Sequence, residues 1–188
     1  MGKALSEMTL EELWELFPII LTEHKEEWNA WYDEEEKRLA SILPAGEIRL
    51  SHIGSTAIHE IWAKPIIDIL VELPASLSMD SVKEILVQNG YICMSEQPNR
   101  KSFNKGYTSE GFAERVFHLH LRFWGDNDEL YFRDYMNDNP LFAKQYEELK
   151  LSLWKEFEHD RDGYTLAKTE FVAEQTERAK KFYGSRYQ

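Results

Sequence analysis

Residues 52–73 open with His52-Ile53-Gly54-Ser55-Thr56-Ala57 and close with Ala63-Lys64-Pro65-Ile66-Ile67-Asp68-Ile69-Leu70-Val71-Glu72-Leu73. Ile48, Leu50 and Ile53 form a short β run, and residues 65–73 are rich in β-branched side chains, so two strands are expected to flank a compact loop. A Gly-Ser turn directly after a strand lets backbone N–H groups approach a phosphate. The Ser55 and Thr56 hydroxyls add donors, and a following helical turn adds a favourable dipole. The same residues also suit an ordinary turn or helix cap. Asp68 separates the two possibilities. A carboxylate among Ile66, Ile67, Ile69 and Val71 is costly in a sheet core, so it must face water, a cation or a hydrogen-bond donor. On the neighbouring strand it is a candidate to hold a metal that bridges the same phosphates. Lys64 is a candidate for a phosphate contact or a structural ion pair.

Upstream, Thr9 with Glu12 makes a capping box ahead of Leu13, Trp14, Leu16 and Phe17, which predicts a short first helix. The stretch from His24 to Ile42 has neither Gly nor Pro and sets Trp28, Trp31, Leu39 and Ile42 on one stripe, predicting a longer helix with an acidic outer face. Downstream, Ser78 to Asn89 predicts an amphipathic helix that buries Val82, Ile85 and Leu86 and ends against Gly90. Residues 91–107 are expected to run strand, mobile or binding loop around Glu96 to Arg100, and strand. Val116 to Trp124 alternates strictly, sending Phe117, Leu119, Leu121 and Phe123 to one face and His118, His120 and Arg122 to the other. From Asp128 onward three helices are expected, about 128–137, 141–158 and 165–183, broken by Asn139-Pro140 and by Asp160-Arg161-Asp162-Gly163.

This order, helices at 1–45, sheet at 46–125 and a helical tail at 126–188, predicts one α+β domain with a mixed sheet. Six Trp, nine Tyr and ten Phe give it ample apolar surface to bury. The net charge of −12 repels long nucleic acid, while screening still allows a local basic spot to hold one phosphate group or nucleotide. The single Cys93, in the apolar run Tyr91-Ile92-Cys93-Met94, is expected as a small buried hydrophobe in a reducing, cytoplasmic setting. No secretory or membrane-spanning run is present in this sequence, so no membrane association is expected.

The segments His52-Ile-Gly-Ser-Thr-Ala and Ala63-Lys-Pro-Ile-Ile-Asp68-Ile-Leu-Val resemble the signature of the GrpB family. Phe132-Arg133-Asp134-Tyr135, the Asn139-Pro140 break, Tyr146 to Lys150, and Tyr164 with Lys168 resemble its carboxyl-terminal pattern. That family is grouped with the DNA polymerase β-like nucleotidyltransferases. The resemblance therefore implies their mixed sheet, a Gly-Ser turn, two acids on the next strand and often a third acid on a later one. Nucleotidyl transfer of that kind uses two divalent cations about 3.5–4 Å apart. Asp68 matches the first acid, but Leu70 stands where the second should be. Glu72 shares the strand face but lies about 13 Å from Asp68, against about 7 Å for a two-residue spacing.

His118 and His120 are candidate ligands that would complete a Mg or Zn site with Asp68, or else ordinary hydrogen-bonded histidines. Arg122 extends their face as a candidate phosphate contact. His59-Glu60 replaces the Pro-Gly that the family carries before Lys-Pro, so a differently shaped loop is expected. His52 is expected to cap or pack, Arg133 and Asp134 to pair, and Lys150 and Lys168 are candidate anion contacts. Two functions follow: metal-dependent nucleotidyl transfer, or noncatalytic binding of a nucleotide or phosphorylated metabolite. A third, docking of a protein partner on the acidic face around Asp33 to Glu36, competes with plain solvation of that charge.

Overall fold

A computed structural model describes residues 3–188. Helices α1 (Leu10–Leu16) and α2 (Glu27–Ile42) precede strands β1 (Arg49–Ile53) and β2 (Ile66–Leu73). Helix α3 (Met79–Gln88), strands β3 (Ile92–Gln97), β4 (Arg100–Thr108) and β5 (Gly111–Phe123), and helices α4 (Asp128–Asp138), α5 (Pro140–Glu156), α6 (Arg161–Ala167) and α7 (Thr169–Tyr183) follow. The fold is α+β, with a five-stranded mixed sheet in the order β1-β2-β5-β4-β3. Every pairing is antiparallel except β2 with β5.

Strand periodicity divides the sheet into two chemically different faces. Ile67, Ile69, Val71 and Leu73 of β2, with Phe117, Leu119 and Leu121 of β5, pack against Trp28 and Leu39 of α2 and Val82 and Leu86 of α3. The opposite face carries Asp68, Leu70 and Glu72 in register with His118, His120 and Arg122. Helix α4 and the chain end lie over part of it, and Leu70, Ile53 and Leu130 form a small core there. That division is what exposes Asp68 while burying its neighbours.

Several local expectations change. The Thr9–Glu12 capping box forms and starts α1, but α2 begins at Glu27, three residues after His24. The segment 96–100 is a tight hairpin with Gln97 paired to Arg100 across Pro98 and Asn99, because the strands keep pairing up to the turn. Asp160-Arg161-Asp162-Gly163 starts a helix: the Asp160 carboxylate accepts from the Gly163 N–H at 2.8 Å as an N-cap. The last expected helix is two, with α6 ending and α7 starting around Lys168. Cys93 is only partly buried, at the margin of the main core. Among the described residues no helix is long and apolar enough to cross a membrane.

His52 packs, as its position suggested. Its ring stacks on Tyr32 at 4.9 Å, and Nε2 lies 2.9 Å from the Thr56 hydroxyl, which itself donates to the Ile66 carbonyl at 3.1 Å. Nε2 therefore carries the proton. Burial holds this imidazole at about 4 against an ordinary 6.5. The unfolded chain then binds more protons between those values, so stability rises with pH through that window and is lost as pH falls through it. A gap of that size is worth roughly 3 kcal/mol. Urea midpoints of the native protein are expected to fall from pH 7 to pH 4, and His52→Phe should make that slope shallower; an unchanged slope would assign the acid sensitivity elsewhere.

Candidate functional site

The site begins where β1 ends. Gly54 has φ +71 and ψ −171, a combination essentially restricted to glycine, and it leads into a 3-10 turn over Ser55–Ala57. Its Cα is seated against Asp68: a Cβ added there would lie 2.3 Å from Oδ2 and 2.9 Å from Cγ. The turn and the acid thus occupy one another's space, which is the physical reason for their spacing in the sequence.

The Asp68 side chain is about one quarter exposed, with Oδ1 3.4 Å from both His118 Nδ1 and His120 Nε2. Burial alone would raise its carboxyl, but hydrogen bonds and charge from the two histidines outweigh that and hold it well below the usual carboxylate range. His118 Nε2 faces the Tyr107 hydroxyl at 2.8 Å, and Arg161 donates to that hydroxyl at 2.9 Å. Arginine only donates, so we assign the Tyr107 proton to His118 Nε2 and the imidazole proton to Nδ1, pointing at Asp68. Burial, outweighing Asp68, pushes His118 below its ordinary range.

Facing this chain is a cleft of about 880 Å³, between the sheet and helices α4 to α7, whose lining includes Gly54, Ser55, Lys64, Asp68 and His118. Lys150, Arg161 and Lys168 line it as well. Burial, then Arg161 and Lys168, lower Lys64 to about 7 against the partial opposition of Asp68. Burial and Lys168 lower Lys150 to about 7, and burial lowers Lys168 to about 8. Lys150 also donates to the Trp62 carbonyl. The Tyr164 ring lies 5.4 Å from the Lys64 ammonium and 4.1 Å from that of Lys168, and its hydroxyl is buried with no hydrogen-bond partner among the described residues. Tyr146 lies beside the Ser55 hydroxyl, and burial raises its phenol.

Other expected contributors are placed differently. The Thr56 hydroxyl is committed to His52 and Ile66 and is 1% exposed, so it is a structural brace of the turn and no ligand donor. Arg122 is buried farther along β5, opposite Glu72, near Asp126 and Glu129, and it does not line the cleft. Leu70 is fully buried. Glu72 accepts from Asn127 Nδ2 at 2.9 Å and from the Gly125 N–H at 3.4 Å. Arg133 pairs with Asp134 and donates to the His52 carbonyl. In the loop where the resemblance has Pro-Gly, Glu60 has φ 59, a left-handed conformation that glycine takes freely.

Arg161, Tyr107 and the Tyr164 hydroxyl are absent from the sequence reading of the site. The four-residue spacing of Tyr164 and Lys168, one helical turn, is the one signal that could have joined two of the tail residues.

Comparison with known proteins adds a family and a fold. The family model described as GrpB protein matches residues 18–178. The glutamate-rich protein GrpB of Alkalihalophilus pseudofirmus is 36% identical over 161 residues, covering 83% of this chain and 92% of that protein. The crystal structure of conserved protein GrpB from Enterococcus faecalis superimposes with a TM-score of 0.76 at 30% identity, over 87% of this chain and 99% of that one. A chain of Cid1 poly(U) polymerase bound to MgGTP shares 13% identity at a TM-score of 0.47, over 76% of this chain and 44% of that one.

Proposed function

Taking as premise that this chain belongs to the GrpB family, we propose that it binds a nucleotide or another small phosphorylated ligand, with the phosphates at the Gly54-Ser55 turn. The observation that carries this reading is the convergence of Lys64, Lys150, Arg161 and Lys168 on one cleft in a chain of net charge −12. Holding charge there is costly mainly because of burial, which lowers all three lysines while Asp68 and Glu147 offset only part of it. An incoming polyanion offsets that cost. The volume is in the range of small-molecule sites, and the apolar side chains of Phe132 and Val172 offer a wall for the rest of the ligand.

A second reading, nucleotidyl transfer, has one observation in its favour: Asp68 stays ionised and faces the same cleft. The buried Leu70 at the second acid's position favours binding without such transfer. Pyrophosphate release from nucleoside triphosphates, dependent on Asp68, would support transfer. Its absence in a protein that binds the nucleotide would support a binding module.

The lysines give binding a pH signature. As pH rises through about 7 to 8 they lose their protons in the empty cleft, whereas a bound polyanion raises their affinity for protons. Calorimetric titration with ATP and inorganic triphosphate at pH 8, in buffers of different ionisation enthalpy, is expected to show uptake of about one proton or more per ligand. Affinity should fall from pH 7 to pH 9, by about tenfold per pH unit for each proton taken up. Absence of binding to either ligand, or binding without proton uptake, would overturn this assignment of the cleft.

A further inference from the structure

The side chains around Asp68 do not fit the paired-cation site that the nucleotidyltransferase resemblance implies. The second carboxylate's place is taken by Leu70, packed in a small core with Ile53 and Leu130. The next acid on that strand face, Glu72, is 2% exposed and already accepts from Asn127 and Gly125. His118 has both ring nitrogens engaged, one with Asp68 and one with Tyr107. Among the described residues, no group of three His, Cys, Asp or Glu side chains is arranged to hold a metal ion. One carboxylate is too few to hold two divalent cations at bridging distance.

What the cleft supplies is a set of cationic side chains of its own, alongside the acids Asp68, Asp128, Glu129, Asp162 and Glu177. Lys64, Lys150 and Lys168 line it, with the Arg161 guanidinium beside them. The Tyr164 ring lies near two of those ammonium groups, and its hydroxyl, buried and without a partner among the described residues, is a donor left over for an anionic oxygen. Resting on the phosphate-binding reading above, we infer that these four side-chain cations neutralise the ligand's polyphosphate, and that a bound pair of divalent cations does not.

The role of Asp68 then reverses. In a metal site a carboxylate attracts the phosphate through the cation. Here it is the negative end of the Arg161–Tyr107–His118 chain, orienting His118 and filling the hollow beneath Gly54, and it repels the phosphates it faces. Neutralising it without changing its shape has opposite consequences in the two cases.

The test is titration of the full chain with inorganic triphosphate at pH 6.5, on the protonated side of the cleft lysines. It is run first with EDTA and then with excess MgCl2, on the native protein and on Asp68→Asn. The expected result is binding in EDTA, unchanged or weakened by Mg²⁺, and about two- to tenfold tighter binding by Asp68→Asn from loss of one like charge. Binding only with Mg²⁺, or loss of affinity in a folded Asp68→Asn, overturns the inference while leaving the phosphate reading intact. Failure of triphosphate and ATP to bind under both conditions overturns both. Should Asp68→Asn fail to fold, the comparison of EDTA with Mg²⁺ on the native protein decides alone.

Discussion

Gly54→Ala is expected to lower affinity for a phosphorylated ligand by about a hundredfold while also lowering the melting temperature, although it adds a single methyl group. Two costs combine. The φ of +71 with ψ of −171 lies in a region that L residues avoid, at about 1–3 kcal/mol. The new Cβ would also meet the Asp68 carboxylate at 2.3 Å, so turn and strand must part by about 1 Å, and a misplacement of that size at a site can cost about a hundredfold. Gly46→Ala is the control. Its nearest neighbour would be Leu77 at 3.9 Å, so it should leave stability and binding nearly unchanged. Thermal melts and triphosphate titration of both variants make the comparison. Equal behaviour of the two would mean that the Gly54–Asp68 contact does not shape the site.

Lys168→Glu carries the next largest expectation, a loss of about a hundredfold or more in triphosphate affinity with a small change in melting temperature. Lys168 is half-buried at the junction of α6 and α7, 4.1 Å from the Tyr164 ring centroid, in the cleft that holds Asp68. The substitution removes a cation and adds an anion. A unit pair at 4 Å is worth about 4 kcal/mol at an effective dielectric of 20, so even after discounting for partial exposure a hundredfold, about 2.7 kcal/mol, is within reach. Lys155→Glu makes the same charge change on an exposed helix face and should alter affinity little. If the two charge reversals weaken binding equally, the effect is one of net charge and the cleft is not where the phosphates sit.

The fold was legible because its signals are local. Strict alternation in residues 116–124 assigned both faces of β5 correctly, and the same period on β2 put Asp68, Leu70 and Glu72 on one side. The boundary errors arose where a polar run suits two structures equally well. Three charged residues and a glycine at 160–163 read as a break, yet Asp160 uses its carboxylate to cap the helix they begin. The site was legible to the extent that it sits on adjacent strands. Gly54, Ser55, Lys64 and Asp68 lie within fifteen residues, and His118 follows from register with β2.

The remaining site residues depend on packing that no period encodes. Arg161 reaches Tyr107 across 54 positions of sequence, whereas Lys150 and Lys168, expected as anion contacts, enter the cleft from the helical tail. The sequence shows the Thr56 hydroxyl but not that it turns inward to brace His52 and Ile66. Arg122 has the right face of β5, but it stands four residues beyond His118, about 13 Å along the strand, where Asp126 and Glu129 engage it.

The most direct test of the central claim is a crystal structure of the chain grown with a nonhydrolysable nucleoside triphosphate. The expected result is phosphate density at the Gly54-Ser55 turn, within hydrogen-bond reach of Arg161, Lys64 and Lys168. Density for the nucleotide elsewhere, with this cleft left to solvent at saturating ligand, would contradict it.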